Sequence, residues 1–197
     1  MCIWIYWYEL VKELRPAFKR QQTFMWFLVA LIGISIRGDL FGVTSIIRSV
    51  GLESCYYKRL LAFFHTTAVD LKYLAALWTR IVFKFFPNPI EFNGRPVLVG
   101  DGIKVAKSGK KMPAVKSLHQ ESESNSKPEY IMGHSFQAIG ILYGSIKNVF
   151  SIPLVSRIHE GIKFTPKDKK TLLDKMIILL SELEISKSFY FVADAYY

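Results

Sequence analysis

Two aspartates are the best candidates for catalytic or metal-binding residues. Asp101 interrupts a run of β-branched residues, and Asp194 follows a run of aromatic and β-branched residues. Asp101 lies within Val97–Val105, where five of nine residues are Val, Ile or Leu. This composition is typical of a buried β-strand. An ionised carboxylate is costly to bury unless something positive pairs with it. A metal ion is one such partner, and an aspartate that caps a turn at a strand end is the other interpretation. Gly100 and Gly102 leave room beside Asp101 for a ligand or another backbone.

The second aspartate, Asp194, ends an apolar run near the C-terminus. The sequence predicts strands over 97–105, 130–143, 149–158 and 188–194, and a helix from Thr165 to about Ile185, with Pro166 and Asp168 in its first turn. The first three strands can form an antiparallel meander. The helix can then return the fourth strand to lie parallel to the first by a right-handed crossover. Asp101 and Asp194 would occupy neighbouring strands at one edge of the core.

Such a pair of carboxylates predicts a divalent cation. Two carboxylates a few ångströms apart repel each other unless a cation joins them. Hard oxygen ligands suit Mg²⁺ or Mn²⁺. A pair of these ions can clamp the attacking and leaving oxygens of a phosphodiester.

A concentration of lysines follows the Asp101 strand. Lys104, Lys107, Lys110, Lys111 and Lys116 fall within 13 residues that contain no acid. The ordinary interpretation is a solvated loop, followed by the polar stretch 117–129. The alternative is a surface for a phosphodiester beside Asp101, because the run leaves the strand that carries this carboxylate.

Two residues on the later strands carry weaker signals. His134 follows Gly133 in the second predicted strand. It is either a contact to the scissile phosphate or to a ligand carboxylate, or a hydrogen-bonded structural residue. Pro153 in the third strand predicts an edge position or a bulge, because proline cannot donate a ladder hydrogen bond.

Residues 1–88 are predicted to be a separate helical region. Apolar residues recur at helical spacing over 8–14, 24–36, 39–50, 54–64 and 70–86, and Pro87-Asn88-Pro89 ends the last helix. Gly51 separates two of these helices, which is the outline of a helix-turn-helix. Arg48, Lys58 and Arg59 would then contact phosphates. Many helical hairpins share this outline, so DNA binding here is a hypothesis.

Composition restricts the partners and the compartment. The chain has 197 residues, 51% hydrophobic residues and a net charge of +10, which favours a polyanionic partner, either nucleic acid or an anionic membrane surface. Cys2 and Cys55 are the only cysteines, which fits a reducing cytoplasm. The apolar run Phe24–Ile36 has 13 residues, whereas a spanning helix needs about 20. We therefore expect a cytoplasmic protein that binds DNA and no membrane.

The order of elements resembles the ribonuclease H-like fold. Within it, VGDGIKVAKSGKKMPAVKSLHQESESNSKPEYIMGHSFQAIG (99–140) and FVADAYY (191–197) resemble two catalytic strands of DDE transposases from bacterial insertion sequences. The resemblance covers residues 89–197. It implies an α/β catalytic domain in which Asp101 and Asp194 are the first two members of an Asp-Asp-Glu triad. They would hold Mg²⁺ for DNA cleavage and strand transfer at the element ends.

The chain departs from this family in one respect. The third member of the triad, a glutamate, lies well downstream of the second aspartate, and this sequence stops at Tyr197. We therefore expect an incomplete transposase, truncated before the catalytic glutamate. The alternative is a catalytically inactive remnant that binds DNA. The strand 188–194 would form an apolar edge, which favours a homo-oligomer.

Overall fold

The computed structural model describes residues 3–39, 42–107, 109, 112, 115–119, 129–145, 147–158 and 171–194. The chain divides into two compact units, Met1–Ile81 and Val82–Tyr197. The predicted boundary at residue 88 lies close to this division. Lys110, Lys111 and the predicted helix start at 165–168 lie outside the described residues, and so does the segment 195–197.

The first unit is helical. Its helices are α1 (Ile3–Lys12), α2 (Gln21–Ile36), α3 (Val43–Val50), α4 (Tyr57–Phe64) and α5 (Leu71–Phe85), the last of which spans the division between the units, and short 3-10 turns cover Arg15–Ala17 and Ser54–Tyr56. Local signals fix their ends. Gly51 ends α3 with a left-handed φ of 73°, as glycine commonly does after a helix. Asp70 caps α5, its Oδ1 accepting from the backbone N–H of Lys72 and Tyr73.

Aromatic and aliphatic side chains fill the interior of this unit. One buried cluster contains Phe18, Phe24 and Leu28, and a second contains Ala30, Ile46 and Leu60. Although 24–36 is largely apolar, α2 exposes Met25, Ile34 and Ile36. Among the described helices, none combines the length and apolar character needed to cross a membrane.

The second unit contains a six-stranded sheet and one described helix. The strands are β1 (Glu91–Phe92), β2 (Arg95–Ala106), β3 (Lys116–His119), β4 (Tyr130–Ser145), β5 (Asn148–Ile158) and β6 (Tyr190–Ala193), and the helix is α6 (Leu172–Ser181). Thr171 caps α6 in a capping box with Asp174. The chain is therefore a mixed α/β protein.

Long strands form the centre of this sheet. β4 pairs antiparallel with β2 on one side and with β5 on the other. β6 pairs in parallel with the outer side of β2, so the order is β6–β2–β4–β5. β1 pairs with the start of β2, and β3 pairs with the start of β4. The register of β4 and β5 shifts between Ile139 and Gly140, opposite Val155 and Pro153. The predicted irregularity at Pro153 is thus confirmed.

Two strands differ from the sequence-based prediction. β1 forms a tight hairpin with β2 through Asn93 and Gly94, whose φ values are 49° and 71°. β3 lies within the stretch that we expected to begin a polar loop, and it buries Leu118. Lys104, the first lysine of the predicted run that leaves the strand, lies within β2 opposite Ser135.

At the centre of the sheet, where β2 pairs with β4, the large described side chains of one face are buried more completely than those of the other. Leu98, Ile139 and Ile141 are buried on this face, where Met176 of α6 approaches Gly100. Val97 and Val99 point to the opposite face and are half-buried. Asp101 shares their face, because side chains alternate along a strand.

Candidate active site

Asp101 is exposed, so the premise that it is a buried carboxylate is wrong. Alternating burial in β2 ends at Gly100, and every residue from Asp101 to Ala106 is exposed. The Oδ1 atom of Asp101 accepts a hydrogen bond of 2.6 Å from the backbone N–H of Gly102. The cost of burying a charge therefore no longer argues for a metal ion here. A metal site at Asp101 would need a second ligand from a neighbouring strand.

The neighbour that matters is Asp194. The parallel register of β2 and β6 runs from Val97 opposite Tyr190 to Gly100 opposite Ala193. Asp101 is the next residue of β2, Asp194 directly follows the end of β6, and both are exposed. Paired residues of neighbouring strands point to the same face, and such strands lie about 4.8 Å apart. Continued by one residue, the register sets the two carboxylates side by side on one face of the sheet, where β6 ends.

Packing on the buried face holds β6 in this register. The ring of Phe191 lies against Gly100, where a side chain would overlap it. The space beside Gly100 is therefore taken by an aromatic side chain. We had expected a ligand or another backbone there.

The donor set fits a hard divalent cation. Two carboxylates and solvent offer oxygen ligands alone, and Mg²⁺ is commonly held by one or two carboxylates with several waters. Within the described part of the chain, no group of three or more His, Cys, Asp or Glu residues is placed to hold a metal. Among the described residues, the candidate ligands at this position are therefore the two aspartates.

Those of the predicted basic residues that the structure describes do not gather around this pair. Lys104 projects to the opposite face of β2 from Asp101, and its Nζ donates 2.8 Å to the carbonyl oxygen of His119. Lys107 is half-buried and lies six residues beyond Asp101, about 20 Å along an extended chain. Lys116 lies on β3 opposite Gly133. Lys110 and Lys111 lie outside the described residues.

His134 is also distant from the aspartates. It pairs with Val105, four residues beyond Asp101, which corresponds to about 13 Å along the sheet. Its side chain is buried, and its ring packs against Phe136 with centroids 6.0 Å apart. This placement favours the structural interpretation of His134 over a contact to a phosphate held at Asp101.

Sequence reasoning missed a polar group at the far end of the sheet. His119 on β3 accepts from Lys104 through its carbonyl oxygen. Its Nε2 lies 3.6 Å from Oε1 of Glu129, and its ring packs edge-on against Tyr130. The pairing of β3 with β4 assembles this group from three separate segments. No spacing along the sequence could therefore have revealed it.

The predicted helix-turn-helix residues lie in the first unit. Lys58 and Arg59 are exposed in the first turn of α4, and Arg48 is exposed in α3. The guanidinium of Arg59 lies over the ring of Tyr56 at 5.6 Å. Lys58 and Arg59 are thus presented to solvent, as phosphate contacts would need.

The fold and the aspartates together describe a mixed α/β protein with two carboxylates beside each other, one on β2 and one directly after the parallel strand β6. No protein-family model, curated protein or solved structure matches this chain. The geometry of its own residues therefore carries the functional argument.

Proposed function

We propose that this chain is a DDE-type transposase with a ribonuclease H-like catalytic unit, and that it acts in Mg²⁺-dependent cleavage and transfer of DNA strands. The observation that carries the proposal is the register of β2 and β6. Continued by one residue beyond Gly100 and Ala193, this register sets Asp101 beside Asp194, although they are 93 positions apart in the sequence. The strand order β6–β2–β4–β5 is compatible with this fold.

Each aspartate would have a defined role. Asp101, on the central strand β2, and Asp194, after β6, would hold the divalent cation through their carboxylate oxygens. A bound pair of such ions supplies charge stabilisation of the attacking and leaving oxygens of a phosphodiester. Both carboxylates are open to solvent. A DNA backbone could therefore approach them without a large rearrangement of the sheet.

Charge supports nucleic acid as the substrate. The net charge of +10 favours association with a polyanion. The exposed Lys58 and Arg59 of α4 offer phosphate contacts in the helical unit. Binding should weaken steeply with salt, because phosphate contacts release counterions.

A second candidate is a protein that binds DNA without cutting it. In the described ranges, no third acidic residue joins Asp101 and Asp194 to form a metal-binding group. DDE chemistry uses three carboxylates. Under this alternative, the basic surface would bind DNA and the aspartate pair would have no catalytic role.

Two measurements on matched variants test the proposal. The first is isothermal titration calorimetry, which measures the binding of Mn²⁺ to the chain. The second is Mn²⁺-dependent nicking of supercoiled plasmid. Both use the wild type, Asp101→Asn, Asp194→Asn and the control Glu91→Gln, whose carboxylate is exposed on β1 of the same unit.

We expect Mn²⁺ binding and nicking in the wild type and in Glu91→Gln, and loss of both in each aspartate variant. Salt-sensitive DNA binding by all four proteins with no nicking by any of them would favour the second candidate. Nicking that persists in both aspartate variants would overturn the assignment of this site.

A further inference from the structure

The helical unit contains an apolar pocket that the proposed DNA chemistry does not use. It has a volume of about 580 Å³ and lies between α2, the segment around residues 63–69 and the start of α5. Its described lining consists of aromatic and aliphatic side chains and two threonines, with no charged residue. Three of these lining residues, Ile34, Phe64 and Leu71, are exposed to solvent, and Leu71 is 57% exposed. Surfaces of this kind mark interaction sites.

Helix α1 of the same unit carries apolar side chains on the outside. Its inner residues Trp7, Leu10 and Val11 pack into the aromatic cluster. Three uncharged residues beside this inner face share one side of the helix and are exposed, Trp4 at 62%, Ile5 at 50% and Tyr8 at 45%, and the Trp4 ring lies edge-on against Trp7 with centroids 6.4 Å apart. No residue from 3 to 8 is charged. A helix anchored by Trp7, Leu10 and Val11 thus presents Trp4, Ile5 and Tyr8 to solvent as its outer face.

We propose that the helical unit pairs with a second copy of itself, with the outer face of α1 of each copy lying in the apolar pocket of the other. Trp4 is the central anchor of this contact. Large aromatic side chains that fill apolar pockets dominate the affinity of protein interfaces. The interface is reciprocal, as a two-fold axis requires.

The distribution of charge favours pairing of two copies through these two surfaces over pairing through other parts of the surface. The chain carries a net charge of +10, so two copies repel each other through most of their surfaces. Residues 3–8 and the described pocket lining are both free of charge. The two surfaces can therefore meet without placing like charges in contact.

The exposed area is also sufficient for a dimer. An aromatic side chain buries about 150–250 Å² when it is fully enclosed. The outer residues of α1 and the exposed residues of the pocket, counted on both copies, give roughly 1,500 Å² of buried surface, within the range of stable interfaces. A single α1 contact would supply about half of this area, so the reciprocal arrangement matters.

Sedimentation velocity of the full-length chain at micromolar concentration tests the proposal with four variants. Trp4→Asp alters the α1 face, and Leu71→Asp alters the pocket. Met25→Asp places the same charge at an exposed position of α2 outside the pocket, and Val192→Lys alters the exposed edge strand β6. All four positions are exposed, and the circular dichroism spectrum of each variant checks that it is folded.

We expect the wild type, Met25→Asp and Val192→Lys to be dimers, and Trp4→Asp and Leu71→Asp to be monomers. Mixing the two monomeric variants should restore a heterodimer, because one intact α1 then meets one intact pocket. The heterodimer should be weaker than the wild-type dimer by at least tenfold.

Three results would overturn the proposal. The first is a wild type that is monomeric. This result would overturn the proposal even if the pocket binds a small apolar probe or Trp4 binds lipid vesicles. The second is dissociation caused by Val192→Lys alone, which would assign the contact to the β6 edge. The third is a mixture of Trp4→Asp and Leu71→Asp that stays monomeric although each protein is folded. None of these results bears on the aspartate pair, so the two proposals fail independently.

Discussion

The ring of Phe191 lies directly against the backbone of Gly100. A Cβ atom added to Gly100 would overlap Cζ of Phe191 and would lie 2.9 Å from its Cε2 atom and 3.1 Å from Cε of Met176. Gly100 precedes Asp101 on β2, and Phe191 lies three residues before Asp194 on β6. This contact on the buried face therefore fixes how the two aspartates are placed on the other face.

Replacing Gly100 by alanine should destabilise the second unit and disturb the aspartate pair. Overpacking a filled core costs about 1–3 kcal/mol, because neighbouring side chains or backbone must shift. Phe191 or β6 would have to move. The measurement is urea-induced unfolding followed by hydrogen exchange of the β4 amides. Affinity for Mn²⁺ should fall in parallel if Asp101 and Asp194 bind the ion together.

Phe191→Leu provides the matched control for this substitution. A leucine lacks the outer ring atoms that a Cβ on Gly100 would meet, so the double variant should recover part of the stability that Gly100→Ala loses. The two residues touch, and a coupling energy of about 0.5–3 kcal/mol is typical of such pairs. Strictly additive effects would show that the ring does not restrict position 100.

Gly33 fixes the close approach of α2 and α3 in the helical unit. A Cβ on Gly33 would overlap Cγ2 of Ile46 and lie 3.0 Å from Cγ2 of Val50. Alanine gains about 0.5–1 kcal/mol over glycine within a helix, but overpacking costs about 1–3 kcal/mol. We therefore expect Gly33→Ala to lower the free energy of unfolding by about 1 kcal/mol.

Gly38→Ala is the control for Gly33→Ala, because a Cβ at Gly38 meets nothing within 4 Å. It should leave the stability unchanged or raise it slightly. All four tryptophans lie in the first unit, so their fluorescence during urea unfolding reports this unit alone. A loss of stability for Gly38→Ala equal to that for Gly33→Ala would contradict the packing argument.

Tyr143 links β4 to the chain segment that follows α5. It is buried, and its Oη donates a hydrogen bond of 2.8 Å to the carbonyl oxygen of Phe86. A hydrogen bond of this kind stabilises a protein by about 0.5–1.5 kcal/mol. Tyr143→Phe should therefore lower the free energy of unfolding of the second unit by about 1 kcal/mol at neutral pH, measured by hydrogen exchange of the β4 amides.

The effect of Tyr143→Phe should depend on pH. Burial raises the pKa of the Tyr143 phenol above its usual value of 10.0. The folded chain then keeps a proton that the unfolded chain releases, so stability falls as the pH rises above about 10. The phenylalanine variant lacks this contribution, and the stability difference between the two proteins should shrink at alkaline pH. A difference that stays constant up to pH 11 would contradict this account.

The long elements of the sheet could be predicted from the sequence, because β2, β4 and β5 are extended runs of β-branched and aromatic residues bounded by turn residues. β3 could not, since only its pairing with β4 makes Lys116–His119 a strand. The exposure of Asp101 and its distance from His134 depend on where neighbouring strands end and on their register. Both are long-range properties that local residue patterns do not encode.

Phosphate contacts by α4 should appear in the salt dependence of DNA binding. Lys58 is exposed on α4, and Lys147 is exposed in the turn between β4 and β5. Each phosphate contact contributes about 0.9 to the slope of log affinity against log salt concentration on duplex DNA. Lys58→Gln should therefore reduce this slope by about 1 and weaken binding uniformly across sequences, whereas Lys147→Gln should leave the slope unchanged. Fluorescence anisotropy of a labelled duplex over a range of NaCl concentrations gives both slopes. Equal small losses in the two variants would mean that net charge alone attracts DNA, and α4 would then have no specific place in the complex.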